Sequence, residues 1–164
     1  WGFRANGIWQ DERGVNLLDT GAHMYDTYEC ADGKFISIGS LEPQFYALLL
    51  EKTGLQGDPD FAQQMNAANW PALKGRLTSL FKTKSRDEWC ALMEMTDVCF
   101  APVLSMSEAP HHPHNAARQT FVEADGVMQP APAPRYSATV TDGPRMTKSL
   151  ETDAILADLG YDAA

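Results

Sequence analysis

The sequence predicts an α+β fold: a small mixed domain with a β-hairpin and several helices, flanked by an extended N-terminal linker and a C-terminal return segment. Three observations carry this. Two β-rich runs, 27–31 (TYECA) and 34–38 (KFISI), are joined by Asp32-Gly33, a strong short-range hairpin signal. Stretches with helical apolar spacing follow them. Strands and helices do not alternate in a regular βαβ pattern, which points to a mixed unit of roughly 80 residues rather than a parallel sheet.

Taken in order, residues 1–24 carry Gly2, Gly7, Gly14 and Gly21 among Arg, Asp and Asn, which reads as an irregular interdomain linker and not a core element. The small α+β domain spans 25–105. After the hairpin comes Gly39-Ser40-Leu41-Glu42-Pro43. Pro43 suits the first helical position, where its missing N–H costs nothing, and Gly54 is placed to end the helix. Glu42 therefore sits at a strand-to-helix turn. A second helix is expected from about Pro71 to Lys82, with Leu73, Leu77, Leu80 and Phe81 on one face. Ser85 and Glu88 match a capping box that opens a third, bearing Trp89, Leu92 and Met93. Val98 to Leu104 reads as a buried strand.

Residues 106–164 form the return segment. Pro110, His111, His112, Pro113 and His114 mark a loop or short helix, and 120–128 (TFVEADGVM) suggests a second hairpin. The Pro/Ala stretch 129–134 is extended, since proline cannot join a central strand. Asp153 to Leu159 reads as a short amphipathic helix ended by Gly160. This segment buries little against itself and is expected to need another surface, such as a large domain absent from the chain.

Bulk properties narrow the function. Of 164 residues, 44% are hydrophobic and 21% charged, as in ordinary globular domains. The net charge of −9 argues against nucleic acid as the main partner, because phosphate binding needs an excess of Lys and Arg. No apolar run approaches the roughly 20 residues that span a bilayer, so no membrane partner is expected. Cys30, Cys90 and Cys99 form no CxxC pair and read as reduced, buried thiols. That suits a reducing compartment, with a bacterial cytoplasmic location the expectation. The opening Trp1-Gly2-Phe3-Arg4 suggests a fragment, a processed chain or a trimmed one.

Among candidate groups, Glu42 has two readings. A carboxylate at a helix start is often only structural, gaining a few tenths to about 1 kcal/mol there. Alternatively, a rigidly held carboxylate can bond one nitrogen of a neighbouring imidazole, selecting its tautomer and supporting its protonated form. An acid/base catalyst that must take and return a proton needs that. His111, His112 and His114 lack the spacing of a metal site, and no metal is expected. His23 lies in the linker and is read as structural. Most methionines are read as core filler, though Met24 with Leu17 and Leu18 offers an apolar surface for a flexible acyl chain.

Arg13-Gly14-Val15-Asn16-Leu17-Leu18-Asp19 is followed by Tyr25-Asp26-Thr27-Tyr28-Glu29-Cys30-Ala31-Asp32-Gly33-Lys34 and Ile38-Gly39-Ser40-Leu41-Glu42-Pro43-Gln44-Phe45-Tyr46. Collinear with these run Trp70-Pro71, Asp97-Val98-Cys99, Ala101-Pro102-Val103-Leu104, Pro113-His114, Arg118-Gln119-Thr120-Phe121, Pro132-Ala133-Pro134-Arg135-Tyr136-Ser137 and the closing Leu156 to Tyr161. The series strongly resembles the α-methylacyl-CoA racemases of the class III CoA-transferase superfamily, in their C-terminal portion.

The resemblance implies an enzyme with a large Rossmann-like CoA-binding domain, a small α+β domain, and two subunits interlocked as a homodimer. It implies an isomerase of lipid metabolism that interconverts 2R and 2S methylacyl-CoA by exchanging the proton α to the thioester carbonyl through an enolate. By motif, Glu42 is the carboxylate that bonds the family's catalytic His, and Leu18, Tyr25 and Leu41 look like the acyl-pocket lining. The acyl-CoA thioester is substrate, and no cofactor is required. The family's catalytic His and Asp lie upstream of Trp1, so this chain alone is expected to be inactive. Two rivals stand beside this reading: a CoA-transferase moving CoA between carboxylic acids, and a non-catalytic assembly domain.

Overall fold

The computed structural model describes residues 1–144 and 152–161. Its described elements are helices and small antiparallel sheets, an α+β fold. The chain divides into two compact units, Trp1–Val103 and Leu104–Ala164.

In the first unit, a four-residue helix α1 (Gly2–Ala5) precedes an irregular stretch, then strands β1 (Tyr25–Glu29) and β2 (Phe35–Gly39) pair antiparallel from Tyr25 opposite Gly39 to Glu29 opposite Phe35. Their connection is a three-residue loop rather than a two-residue one: the Gly33 N–H donates to the Cys30 carbonyl, and Gly33 takes φ 74 before the chain rejoins the ladder at Lys34. Helix α2 (Pro43–Thr53) starts at Pro43 and ends at Gly54, which at φ 74 lets Gly54 and Leu55 donate to Glu51 and Leu50 in a Schellman closure. Helix α3 (Trp70–Phe81) and helix α4 (Arg86–Met93) follow, the latter with both arms of its capping box formed between Ser85 and Glu88. Strand β3 (Phe100–Val103) then adds antiparallel to β2, giving the order β1-β2-β3.

The core lies between the sheet and the helices. Tyr28, Ile36 and Ile38 meet Leu49 of α2, Leu73, Leu77 and Phe81 of α3, and Trp89 and Met93 of α4. Phe81 is the pivot: its ring centroid is 5.0 Å from Tyr28 and 5.1 Å from Trp89, whose indole N–H donates to the Phe81 carbonyl. Two ion pairs, Lys74–Asp26 and Lys82–Glu29, lash α3 along β1.

Several expectations need correction. Residues 22–24 are no linker: Ala22, His23 and Met24 are fully buried, and the Ser40 amide donates to the Met24 carbonyl. Polar sequence around them hid three residues that the fold covers from the far side of the chain. Met24 is therefore core, not an apolar surface. Of Val98 to Leu104, only Phe100–Val103 is strand, and it is a half-exposed edge strand, while Val98 before it is buried. Pro102 has no N–H to give a further neighbour, and Ala101 and Val103 face outward. Met95 and Met106 are almost wholly exposed rather than core filler, Cys99 is an exposed rather than a buried thiol, and Leu92 stands outside the core.

The second unit holds α5 (Pro113–Ala117), the hairpin β4 (Phe121–Ala124) and β5 (Val127–Pro130), and α6 (Thr152–Asp158). Asp125 (φ 53) and Gly126 (φ 77) make the two-residue turn with both φ positive that matches strand twist. Gly160, at φ 79, ends α6 with the same closure as Gly54. No described residue of this unit is buried. Residues 145–151 and 162–164 of the expected return segment lie outside the described residues.

Candidate active site

The sheet-to-helix turn at 39–42 is built by backbone pairing from several directions. The Gly39 amide donates to the Cys99 carbonyl at 2.9 Å, the Ser40 amide to Met24 at 3.0 Å, and the Leu41 amide back to Gly39 at 2.9 Å. The buried Ser40 hydroxyl donates to the Val98 carbonyl at 2.5 Å. Glu42 emerges from this turn as the N-cap of α2, extended at φ −72 and ψ 144. Its carboxylate makes no capping bond to the helix, and the residue is exposed. The free amides of the first turn place a partial positive charge beside it.

Next to the turn, a crevice of about 390 Å³ opens on the outer face of the sheet, lined by Tyr25, Asp26, Ile38, Gly39, Cys99 and Phe100 among others. Gly39, opposite Tyr25 in the ladder, lines it without a side chain; a Cβ there would make ordinary contact with the Tyr25 ring at 3.6 Å. Cys99 borders the crevice at φ 57, its thiol pushed up by burial and then by the negative charges of Glu42 and Asp97.

Thr20, at the end of the loop 14–21, also lines the crevice. Asn16 is buried and donates through its amide to the Asp19 carboxylate at 2.6 Å and the Gln10 carbonyl at 3.1 Å, while accepting from the Gln10 N–H at 2.7 Å. Burial alone would raise the Asp19 carboxyl, but hydrogen bonds from Asn16, Gly14 and Gly21 outweigh it and hold the group below its usual range. Gly21 lies so close to the backbone of residues 15–16 that a Cβ would fall 2.4 Å from Val15. Lys74 reaches from α3 to the Thr20 carbonyl at 2.5 Å and pairs with Asp26, pinning the loop's end.

The structure separates the residues singled out from sequence. Tyr25 lines the crevice. Leu41, half-buried against the core, directly precedes Glu42, whose charge reaches the crevice through Cys99. Leu18 is exposed at 40% and lines no part of the crevice; its neighbour Leu17 is the one packed on the core. Two motif tyrosines are architectural. The Tyr28 hydroxyl donates to the His23 carbonyl at 2.6 Å, and the Tyr46 hydroxyl lies 2.8 Å from His23 Nε2 and donates to Phe61 at 3.2 Å. Sequence reasoning missed Gln64, which bonds this turn from 23 positions further along the chain and carries no local signature.

Comparison with known proteins places this geometry. The family described as CoA-transferase family III matches residues 5–150. The alpha-methylacyl-CoA racemase of Mus musculus is 43% identical over 140 residues, 85% of this chain and 36% of that protein. The Homo sapiens protein of the same name is 40% identical over 135 residues, 82% of this chain and 35% of its own length. The chain thus spans about a third of the curated relatives it matches. The crystal structure of Rv3272 from M. tuberculosis shares the fold, with a TM-score of 0.59 at 22% identity over 74% of this chain and 36% of that one. With its family model matched from residue 5 to residue 150, this chain belongs to CoA-transferase family III.

Proposed function

We propose that this chain is part of an α-methylacyl-CoA racemase, in which Glu42 supports an acid/base imidazole supplied by polypeptide outside it. The observation that carries the reading is the 40–43% identity to two proteins of that name across 82–85% of this chain. Glu42 leaves the rigid turn with its carboxylate free of the helix it caps, which suits a carboxylate that must accept an N–H from another domain.

The chemistry requires little else. The proton α to a thioester carbonyl is weakly acidic, so a well-placed base must take it while the enolate is stabilised. An acid on the opposite face returns a proton to the same carbon and inverts it. An imidazole anchored by a carboxylate serves as a base near neutral pH. The reaction runs on proton transfer alone and calls for no metal or redox cofactor. Tyr25, Leu41 and Leu18 are read as contacts for the acyl chain, residues 106–164 as a segment that covers a large CoA-binding domain, and the whole enzyme as a homodimer in the cytoplasm.

The test uses the complete polypeptide with 2-methylacyl-CoA in D₂O, following deuterium uptake at the α-carbon. Uptake is expected from the complete enzyme and none above background from the 164-residue chain. Glu42→Gln in the complete enzyme should slow uptake by about ten- to a thousandfold with the fold intact. An unchanged rate would reduce Glu42 to a helix-start residue. The family's own description favours a second reading, CoA transfer between acids through an acyl-enzyme. CoA appearing on an added carboxylic acid, without α-exchange, would select it.

A further inference from the structure

We propose that Gln64 is a positioning residue that sets the direction of the Glu42 side chain, an inference whose kinetic part rests on the racemase reading. The Gln64 side-chain amide donates to the Leu41 carbonyl at 2.8 Å and to the Ser40 carbonyl at 3.1 Å. Only its NH₂ can face two carbonyl oxygens, so the orientation of the amide follows from its partners. The Gln64 backbone is itself held: its carbonyl accepts the Trp70 indole N–H at 2.9 Å, and Trp70 is buried at the start of α3.

The contact matters because of where it falls. The Leu41 oxygen belongs to the peptide group whose nitrogen is that of Glu42. A peptide group is planar, so holding its oxygen fixes the plane. Once the plane is fixed, the Cα–Cβ bond of Glu42 depends on a single backbone rotation, which Pro43 and the first turn of α2 already restrict. The other ties to the turn act earlier in the chain: Gly39 to Cys99, Ser40 to Met24 and Val98. Among the described residues, Gln64 alone reaches past Ser40 by a side chain to the peptide that delivers Glu42. Two hydrogen bonds are enough to change the population of a turn by roughly tenfold or more. A displacement near 1 Å at a catalytic group costs up to about a hundredfold in rate.

Two measurements separate this from a generic stabilising role. In the 164-residue chain, Gln64→Met removes both donors at similar volume. Amide hydrogen exchange at Ser40 and Leu41 should then speed up by about tenfold or more, while Leu77 of α3 keeps its rate. In the complete enzyme, the same substitution should lower kcat for α-proton exchange by about ten- to a hundredfold with KM for acyl-CoA unchanged. Combined with Glu42→Gln it should add almost nothing, because both changes disable one device. Trp70→Phe, which releases the Gln64 backbone and leaves its side-chain amide in place, should move the same observables less and serves if Gln64→Met does not fold. Unaltered exchange at residues 40 and 41 overturns the clamp. Fully additive kinetic losses, or a loss confined to KM, overturn the positioning role. A wild-type enzyme that exchanges no α-proton overturns the racemase reading and the kinetic part with it, while amide exchange still decides the clamp.

Discussion

His23 enters the core with Nε2 on the Tyr46 hydroxyl and Nδ1 without a hydrogen-bond partner among the described residues. Because the Tyr46 hydroxyl donates to the Phe61 carbonyl, it accepts from His23, so the imidazole is neutral with its proton on Nε2. Tyr46 and Phe61 meet its ring edge to face, and burial lowers its pKa from 6.5 to about 4. The unfolded chain takes up a proton near pH 6.5 that the native state refuses until about pH 4. The penalty is absent above that window and complete below it, so stability falls as pH falls through it. Urea unfolding at pH 7 and pH 4 should show this domain losing about 3 kcal/mol more than a His23→Leu variant. Equal losses would mean that His23 is protonated in place. Nothing in the sequence marked this histidine, because its burial is set by Tyr46 and Phe61, distant in the chain.

Elements were legible wherever their chemistry is local. Pro43 and Gly54 bracket α2, Ser85 and Glu88 open α4, and Asp125-Gly126 turns the second hairpin, each determined by residues within a few positions. The α4 start is the cleanest to test. The Ser85 hydroxyl accepts from the Glu88 amide, and the Glu88 carboxylate, held below its usual range by the backbone and hydroxyl of Ser85, accepts from the Ser85 amide at 2.8 Å. Ser85→Ala should cost about 1 kcal/mol, read as a lower unfolding midpoint at unchanged denaturant slope. What the sequence withheld is set by partners far along the chain. Strand β3 reads as buried from composition, yet it lies at the sheet edge because, among the described residues, no further strand pairs with it. Gln64 sits in a polar stretch with no period, and its role exists only once α3 and the hairpin are assembled. Glu42 was thus legible as a motif residue, while the hydrogen bonds from Gln64 to the turn before it were not.

At the scale of the whole molecule, the two units differ in how far they satisfy themselves. The first contains every buried residue described; the second contains none, while Val127, Tyr136 and Leu159 stand exposed. Amide exchange of the isolated chain should therefore show strong protection in β2 and α3 and weak protection, by at least about a hundredfold, across 104–144. Comparable protection in both units would show that the second needs no further surface. The knot at 14–21 has the opposite character. With Asn16 bonded on all sides and no room at Gly21 for even a methyl group, the arch that carries Leu18 has no slack, although Leu18 itself is bare. Whatever surface comes to cover this leucine meets a backbone already immobilised during folding, so the encounter surrenders little chain freedom and more of the apolar contact survives as affinity.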